Sequence, residues 1–176
     1  MSDLKRISER VISVMERIGG LSDLEVSDLR KIPLGTLRQG TYSLQGVCRF
    51  RKGTRQRIAK GTENGVSEVR CIDLHPLLLT EEWSRYADHV LFHEYLHALL
   101  PGEGHGPEFR RRESLWPDSD AIAMKEEFGQ FIRERRSDIL KWVLSCPNCD
   151  YRFHSKRPLP GARCRKCKST LVNSER

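Results

Sequence analysis

The chain has 176 residues, a mass of 20.4 kDa, 38% hydrophobic and 31% charged residues, and six cysteines. That is enough chain to bury a core without disulfides, and no apolar run approaches the ~18 residues a membrane-spanning helix needs. The net charge of +7 is lopsided, because residues 146–176 carry 8 Lys+Arg against 2 Asp+Glu while the preceding 145 residues are nearly balanced. Such asymmetry predicts a basic module suited to a polyanion, joined to a near-neutral body. The N-terminal stretch LKRISERVISVMERIGG has charges spread through its apolar positions and no signal-peptide core. A reducing, cytoplasmic setting is therefore expected, with the cysteines as metal ligands or free thiols.

In chain order, Leu4, Ile7, Val11, Val14, Met15 and Ile18 recur at helical spacing, and Gly19-Gly20 stops the helix. Asp23 to Lys31 reads as a second short helix, closed by Pro33 and Gly35. Residues 41–60 are β-prone, with Lys52-Gly53-Thr54 as the turn of a hairpin. Arg49, Arg51, Lys52, Arg55, Arg57 and Lys60 make this a second basic cluster with no acidic residue. Val66 to Leu74 alternates enough to be a third strand, which His75-Pro76 breaks. Thr80 is placed to cap a helix that Glu81 and Glu82 favour electrostatically and that Pro101-Gly102 ends. Pro107 suits the first turn of a further helix. A longer helix opens at Asp118 or Ser119 and runs to about Arg136, with Ile122, Phe128, Phe131 and Ile132 as its apolar side. From Lys141 the pattern turns β-like.

The chemistry concentrates in two places. His93-Glu94-Tyr95-Leu96-His97 is an H-E-x-x-H on a predicted helix. Histidines at i and i+4 share one face and can reach one metal ion, and Glu94, one position on, lies beside the metal rather than on it. The surrounding Val90, Leu91, Phe92, Leu96, Leu99 and Leu100 are apolar, and polar groups there are costly without a partner. A third ligand has to come from beyond the helix. His105, in Gly-His-Gly, leads, because flanking glycines permit a tight reversal; Glu103 and Glu108 are the alternatives. Three histidines with an open position define a catalytic rather than a structural zinc site.

The segment HEYLHALL followed by GHGPEF resembles the SprT-like zinc metalloprotease family, which includes the DNA–protein crosslink protease Spartan. The specific match runs over residues 70–112, and the loop before His105 is shorter than Spartan's, as in short prokaryotic members. The resemblance implies an α+β, zincin-like metalloprotease domain of helices and a small sheet over residues 1–140. It implies zinc on His93, His97 and His105, with Glu94 as the catalytic base. It further implies substrates that are proteins bound or crosslinked to DNA, single- or double-stranded, in a nucleoid-associated setting if the source is prokaryotic.

The second place is Cys146-Pro-Asn-Cys149 and Cys164-Arg-Lys-Cys167, two C-x-x-C knuckles fourteen residues apart. Each aims two thiolates at one ion, and together they complete a closed, structural zinc site. Residues 141–176 are thus expected to form a small β zinc ribbon that depends on its metal to fold. Arg152, Lys156, Arg157, Arg163, Arg165, Lys166 and Lys168 decorate it, with Tyr151 and Phe153 among them. These cations suit DNA phosphates, and the aromatics either stack on bases or form the ribbon's core. No membrane partner is expected. Cys48 and Cys71 read as free thiols on strands, and Tyr42 is a candidate for stabilising the oxyanion. Two other readings stay open: a nucleic-acid-binding ribbon protein without protease activity, and a general peptidase with no DNA role.

Overall fold

In the computed structural model the described residues are 3–19, 23–38, 41, 43–53 and 65–176. They form a mixed α+β structure that divides into two compact units, Met1–Glu126 and Glu127–Arg176. The change of sequence pattern suggested a boundary at 140; the division falls earlier, inside a helix whose last turns run on into the second unit.

The first unit opens with helix α1 (Asp3–Ile18), which buries Ile7, Val11, Ile12 and Met15. Gly19 ends it with φ of +77°, a backbone conformation that side chains with a Cβ disfavour. Helix α2 (Asp23–Lys31) follows at its expected position. Next come strands β1 (Leu34–Thr36), β2 (Gly46–Phe50) and β3 (Val69–Leu74), arranged β1-β3-β2. β1 runs parallel to β3 and β2 antiparallel to it, with a bulge at Arg49/Phe50. The short strand β1 was not expected, since Pro33 and Gly35 read only as helix stops. Gly35 lies opposite Asp73, and a Cβ there would come within 2.5 Å of Asp73 Oδ1. The expected hairpin is not what β2 makes within the described residues. It pairs with β3, and the proposed return strand lies largely in residues 54–64, outside the described residues. The expected strand from Val66 begins as a 3₁₀ turn, Val66–Glu68.

Helix α3 (Ser84–Leu99) is the spine of this unit. It buries residues on every side, including Tyr86, Leu91, Phe92, Tyr95 and Leu96, and packs against α1, β2 and β3. A helix apolar around its circumference belongs in a core. It starts one turn later than Thr80 suggested: Glu81–Trp83 form a 3₁₀ turn, and Thr80 Oγ1 donates to the Leu77 carbonyl at 3.0 Å instead of capping. His75, at the end of β3, accepts the Leu77 N–H on Nδ1 and starts the preceding turn. Helix α4 (Pro107–Glu113) has Pro107 in its first turn, and α5 (Ser119–Ile139) is capped by Asp118, whose Oδ1 accepts the Ala121 N–H at 3.1 Å. Ile122, assigned to the apolar side of α5, is exposed; Ala121, Phe128 and Ile132 are the buried positions.

In the second unit β4 (Trp142–Ser145) is flanked by β5 (Arg152–Ser155) and β6 (Val172–Glu175), both antiparallel to it. Its core is Leu144, Cys146, Cys164 and Leu171, with Trp142, Tyr151 and Phe153 packed against it. No helix among the described residues is long and apolar enough to cross a membrane.

One buried polar contact ties α1 to α3. Ser8 Oγ and Tyr95 Oη lie 2.8 Å apart in the core. Tyr95→Phe strands the Ser8 hydroxyl and should cost about 1–3 kcal/mol in urea unfolding, most of it recovered in the Ser8→Ala/Tyr95→Phe double variant. Equal stability of wild type and single variant would contradict this pairing.

Candidate metal centres

Spacing on α3 places His93 and His97 one turn apart on the same face. The chain then turns through Gly102 (φ +90°) and Gly104 (φ +60°), the left-handed conformations that return His105 to that face. His93 Nε2 lies 3.2 Å from His97 Nε2 and 3.2 Å from His105 Nε2. Of the three candidates for third ligand, His105 joins the cluster. Glu108 is instead held by Arg111 and Arg112, both at 2.8 Å, which keeps its carboxyl well below the usual range.

This grouping is able to hold a metal ion. Two tetrahedral zinc ligands at ~2.0–2.1 Å from the ion are about 3.3–3.4 Å apart, close to the spacing of these nitrogens. Protonation supports the fit. His93 Nδ1 lies 2.6 Å from Glu113 Oε1, which makes Nδ1 the donor to the carboxylate and turns Nε2 toward the cluster. Burial, with His93 and His105 nearby, pushes His97 down to about 4, so it is a neutral ligand at pH 7. Phe109, fully buried on α4, contacts all three rings with centroids 4.5 to 5.0 Å away. The residues between His105 and Phe109 thus supply a ligand, a helix start and the apolar seat for the imidazoles.

Glu94 is buried beside the cluster, only 6% exposed. Burial pushes its carboxyl up to about 7, opposed by His93 and a backbone hydrogen bond from Cys48. Gly46 explains how β2 passes so close, since a Cβ there would lie 2.8 Å from Glu94 Oε1 and 2.8 Å from Val90 Cγ1. Cys48, on the same strand, is a half-buried thiol pushed up to about 12 by burial and by Glu94. Tyr42 lies outside the described residues.

The four knuckle cysteines form the second group able to hold a metal ion. Cys146 and Cys167 sulfurs are 3.3 Å apart, Cys149 and Cys164 3.6 Å, and Cys149 and Cys167 3.8 Å. Thiolates at ~2.3 Å from a tetrahedral zinc are about 3.8 Å apart. The Asn148 N–H points at Cys146 Sγ (3.4 Å), and hydrogen bonds from Ser169 pull Cys167 down to about 6. Both favour the thiolate form that ligates metal.

The expected polyanion contacts divide. Arg152, Lys156, Arg157, Arg163, Arg165, Lys166 and Lys168 are all exposed on the ribbon, with Lys166 bound to Asp150 at 2.9 Å. Tyr151 and Phe153 are partly buried against the ribbon core. In the body, Arg49 is spent on Asp73 at 2.7 Å, Arg51 and Lys52 are exposed, and Arg55 and Arg57 lie outside the described residues.

Sequence reasoning missed Glu113, Phe109 and Gly46. Glu113 carries no local signal separating it from Glu103 and Glu108; only the folded return of α4 selects it. Comparisons of the chain with protein-family models, curated proteins and solved structures found no match.

Glu113 orients a ligand without touching the metal position. Glu113→Gln should therefore weaken metal binding by about 10- to 100-fold in competition with a chelator. Unchanged affinity would show that His93 is held by other means.

Proposed function

We propose that the chain is a zinc-dependent endopeptidase of the SprT-like type, with a zincin-like body, that cleaves proteins bound or crosslinked to DNA. The observation that carries this reading is the convergence of three imidazole nitrogens next to a buried carboxylate. A purely structural site has no use for Glu94, whose burial is costly. The resemblance of HEYLHALL and GHGPEF to SprT-like proteins supports the same conclusion.

Zinc on His93, His97 and His105, when bound, supplies a Lewis acid that polarises the scissile carbonyl and makes water more acidic. Glu94 removes the proton from the attacking water and later delivers it to the departing amide nitrogen. A carboxyl held near neutral pH by burial suits both halves of that transfer. Phe109 and Glu113 hold the imidazoles in place. Among the described residues β2 is an edge strand running past Glu94, and an extended peptide can pair with such an edge as an added strand.

The ribbon supplies the DNA contact in this proposal. Its metal is structural, because four cysteines leave no open position. Its exposed arginines and lysines meet phosphates without reading sequence. Tethering the protease to DNA raises its concentration at crosslinked protein and limits stray cleavage. Tyr151 and Phe153 pack in part against the ribbon core, so the exposed cations carry most of the attraction in this proposal.

The test is cleavage of a DNA-binding protein by the zinc-loaded chain, with and without single- and double-stranded DNA. DNA-stimulated cleavage is expected, reduced at least 100-fold in Glu94→Gln with the metal retained. Cleavage indifferent to DNA points to a general peptidase. DNA binding with no cleavage under any condition points to a binding module.

A further inference from the structure

A cavity of about 170 Å³ opens beside the histidine cluster in the first unit. Tyr86, His89, Val90, His93 and Glu94 of α3 line it together with Leu44, Gln45 and Gly46 at the start of β2. Glu113 of α4 and Lys125 of α5 complete the lining. The volume lies below the ~300–1,000 Å³ of sites that take drug-sized ligands and suits a single side chain.

Its lining holds two donors with room for a ligand, the Gln45 amide and the Lys125 ammonium, beside the Glu94 and Glu113 carboxylates. The Tyr86 hydroxyl donates to Gln45 Oε1. This fixes the Gln45 amide with its oxygen occupied, and no hydrogen bond among the described residues engages its Nε2. Lys125 forms no ion pair within 4 Å among the described residues, although its charge acts on Glu113. Of the two carboxylates in the wall, Glu113 lies 2.6 Å from His93 Nδ1, and Glu94 accepts a backbone hydrogen bond from Cys48. His89 is 6% exposed with both ring nitrogens unpartnered, and burial keeps it neutral, so the mobile positive charge at the cavity is that of Lys125. Leu44, 44% exposed, and the ring of Tyr86 offer apolar contact for the stem of an entering side chain.

We propose that this cavity selects the substrate residue flanking the scissile bond, and that it takes a carboxylate-ended side chain of glutamate length, read by Gln45 Nε2 and Lys125 Nζ. The inference rests on the peptidase reading above, since it is the metal centre that fixes where the scissile bond lies. A carboxylate has two acceptor oxygens for these two donors. A carboxamide supplies one, and a lysine side chain meets Lys125 as a like charge.

The test uses binding, so it does not depend on turnover. Amino-acid hydroxamates bearing Glu, Gln, Leu or Lys side chains next to the chelating group are titrated into the zinc-loaded full chain. The expected order is Glu, then Gln, then Leu, then Lys, with Glu about tenfold tighter than Leu. Lys125→Ala should shrink the Glu-to-Leu ratio to about twofold, and Lys125→Glu should reverse the order of Glu and Lys. Metal content equal to wild type shows that each variant is folded at the site. Equal affinity for Glu and Leu, or a wild-type preference for Lys, overturns the proposal while leaving the peptidase reading intact; the second result would assign selection to Glu113. If no hydroxamate binds although the zinc is present, the metal has no open position, and the peptidase reading falls together with the pocket.

Discussion

His93 Nε2 lies 3.2 Å from both His97 Nε2 and His105 Nε2, a grouping able to hold a metal ion. Two neutral rings can share one proton, but a third lone pair then points at occupied space. Most of the first unit can be understood from this constraint. α3 is buried on every side, yet it carries two histidines and a glutamate in its C-terminal half. Buried polar groups without partners cost several kcal/mol together. A bound cation would offset that cost. The left-handed Gly102 and Gly104 ahead of His105 bring in the third nitrogen, Phe109 seats the rings, and Glu113 orients His93.

The carboxylate beside the cluster follows a different logic. A ligand must reach the ion, whereas a base must lie close beside it. Glu94, the proposed base, lies there because the strand beside it carries no side chain at Gly46 and supplies a hydrogen bond from the Cys48 backbone. A bulkier residue at that position would displace either Glu94 or Val90. The ribbon, by contrast, has its four sulfurs mutually close and no spare position. Its core is two aliphatic residues and two cysteines with a few partly buried side chains around them. So small a core cannot offset the chain entropy of ordering the unit, and a metal is the natural supplement.

Features fixed by short-range spacing were legible in the sequence. The H-E-x-x-H period, the Gly-His-Gly turn and the two C-x-x-C knuckles each encode their geometry within a few residues. The helices α1, α2, α4 and α5 followed from periodicity and caps in the same way. Features that depend on what the chain meets after folding were not legible. β1 is three residues long and exists because β3 lies beside it. The pairing of β2 with β3 was not expected, since a strand's partner is chosen by the whole sheet. Glu113 and Gln45 acquire roles only when α4 and the approach to β2 arrive at α3. Tyr151 and Phe153 read as base-stacking aromatics or core residues equally well, and only the packed ribbon shows both rings partly against its core.

The account stands on two metal positions of different chemistry in one chain. The direct measurement is zinc content by elemental mass spectrometry, with X-ray absorption at the zinc edge, on the purified full chain and on His97→Ala. Two zinc ions per chain are predicted, one in nitrogen and oxygen surroundings and one in sulfur alone. His97→Ala should keep only the sulfur-bound ion. A wild-type chain with a single, sulfur-bound zinc, or a His97→Ala chain that retains both ions, would contradict the account.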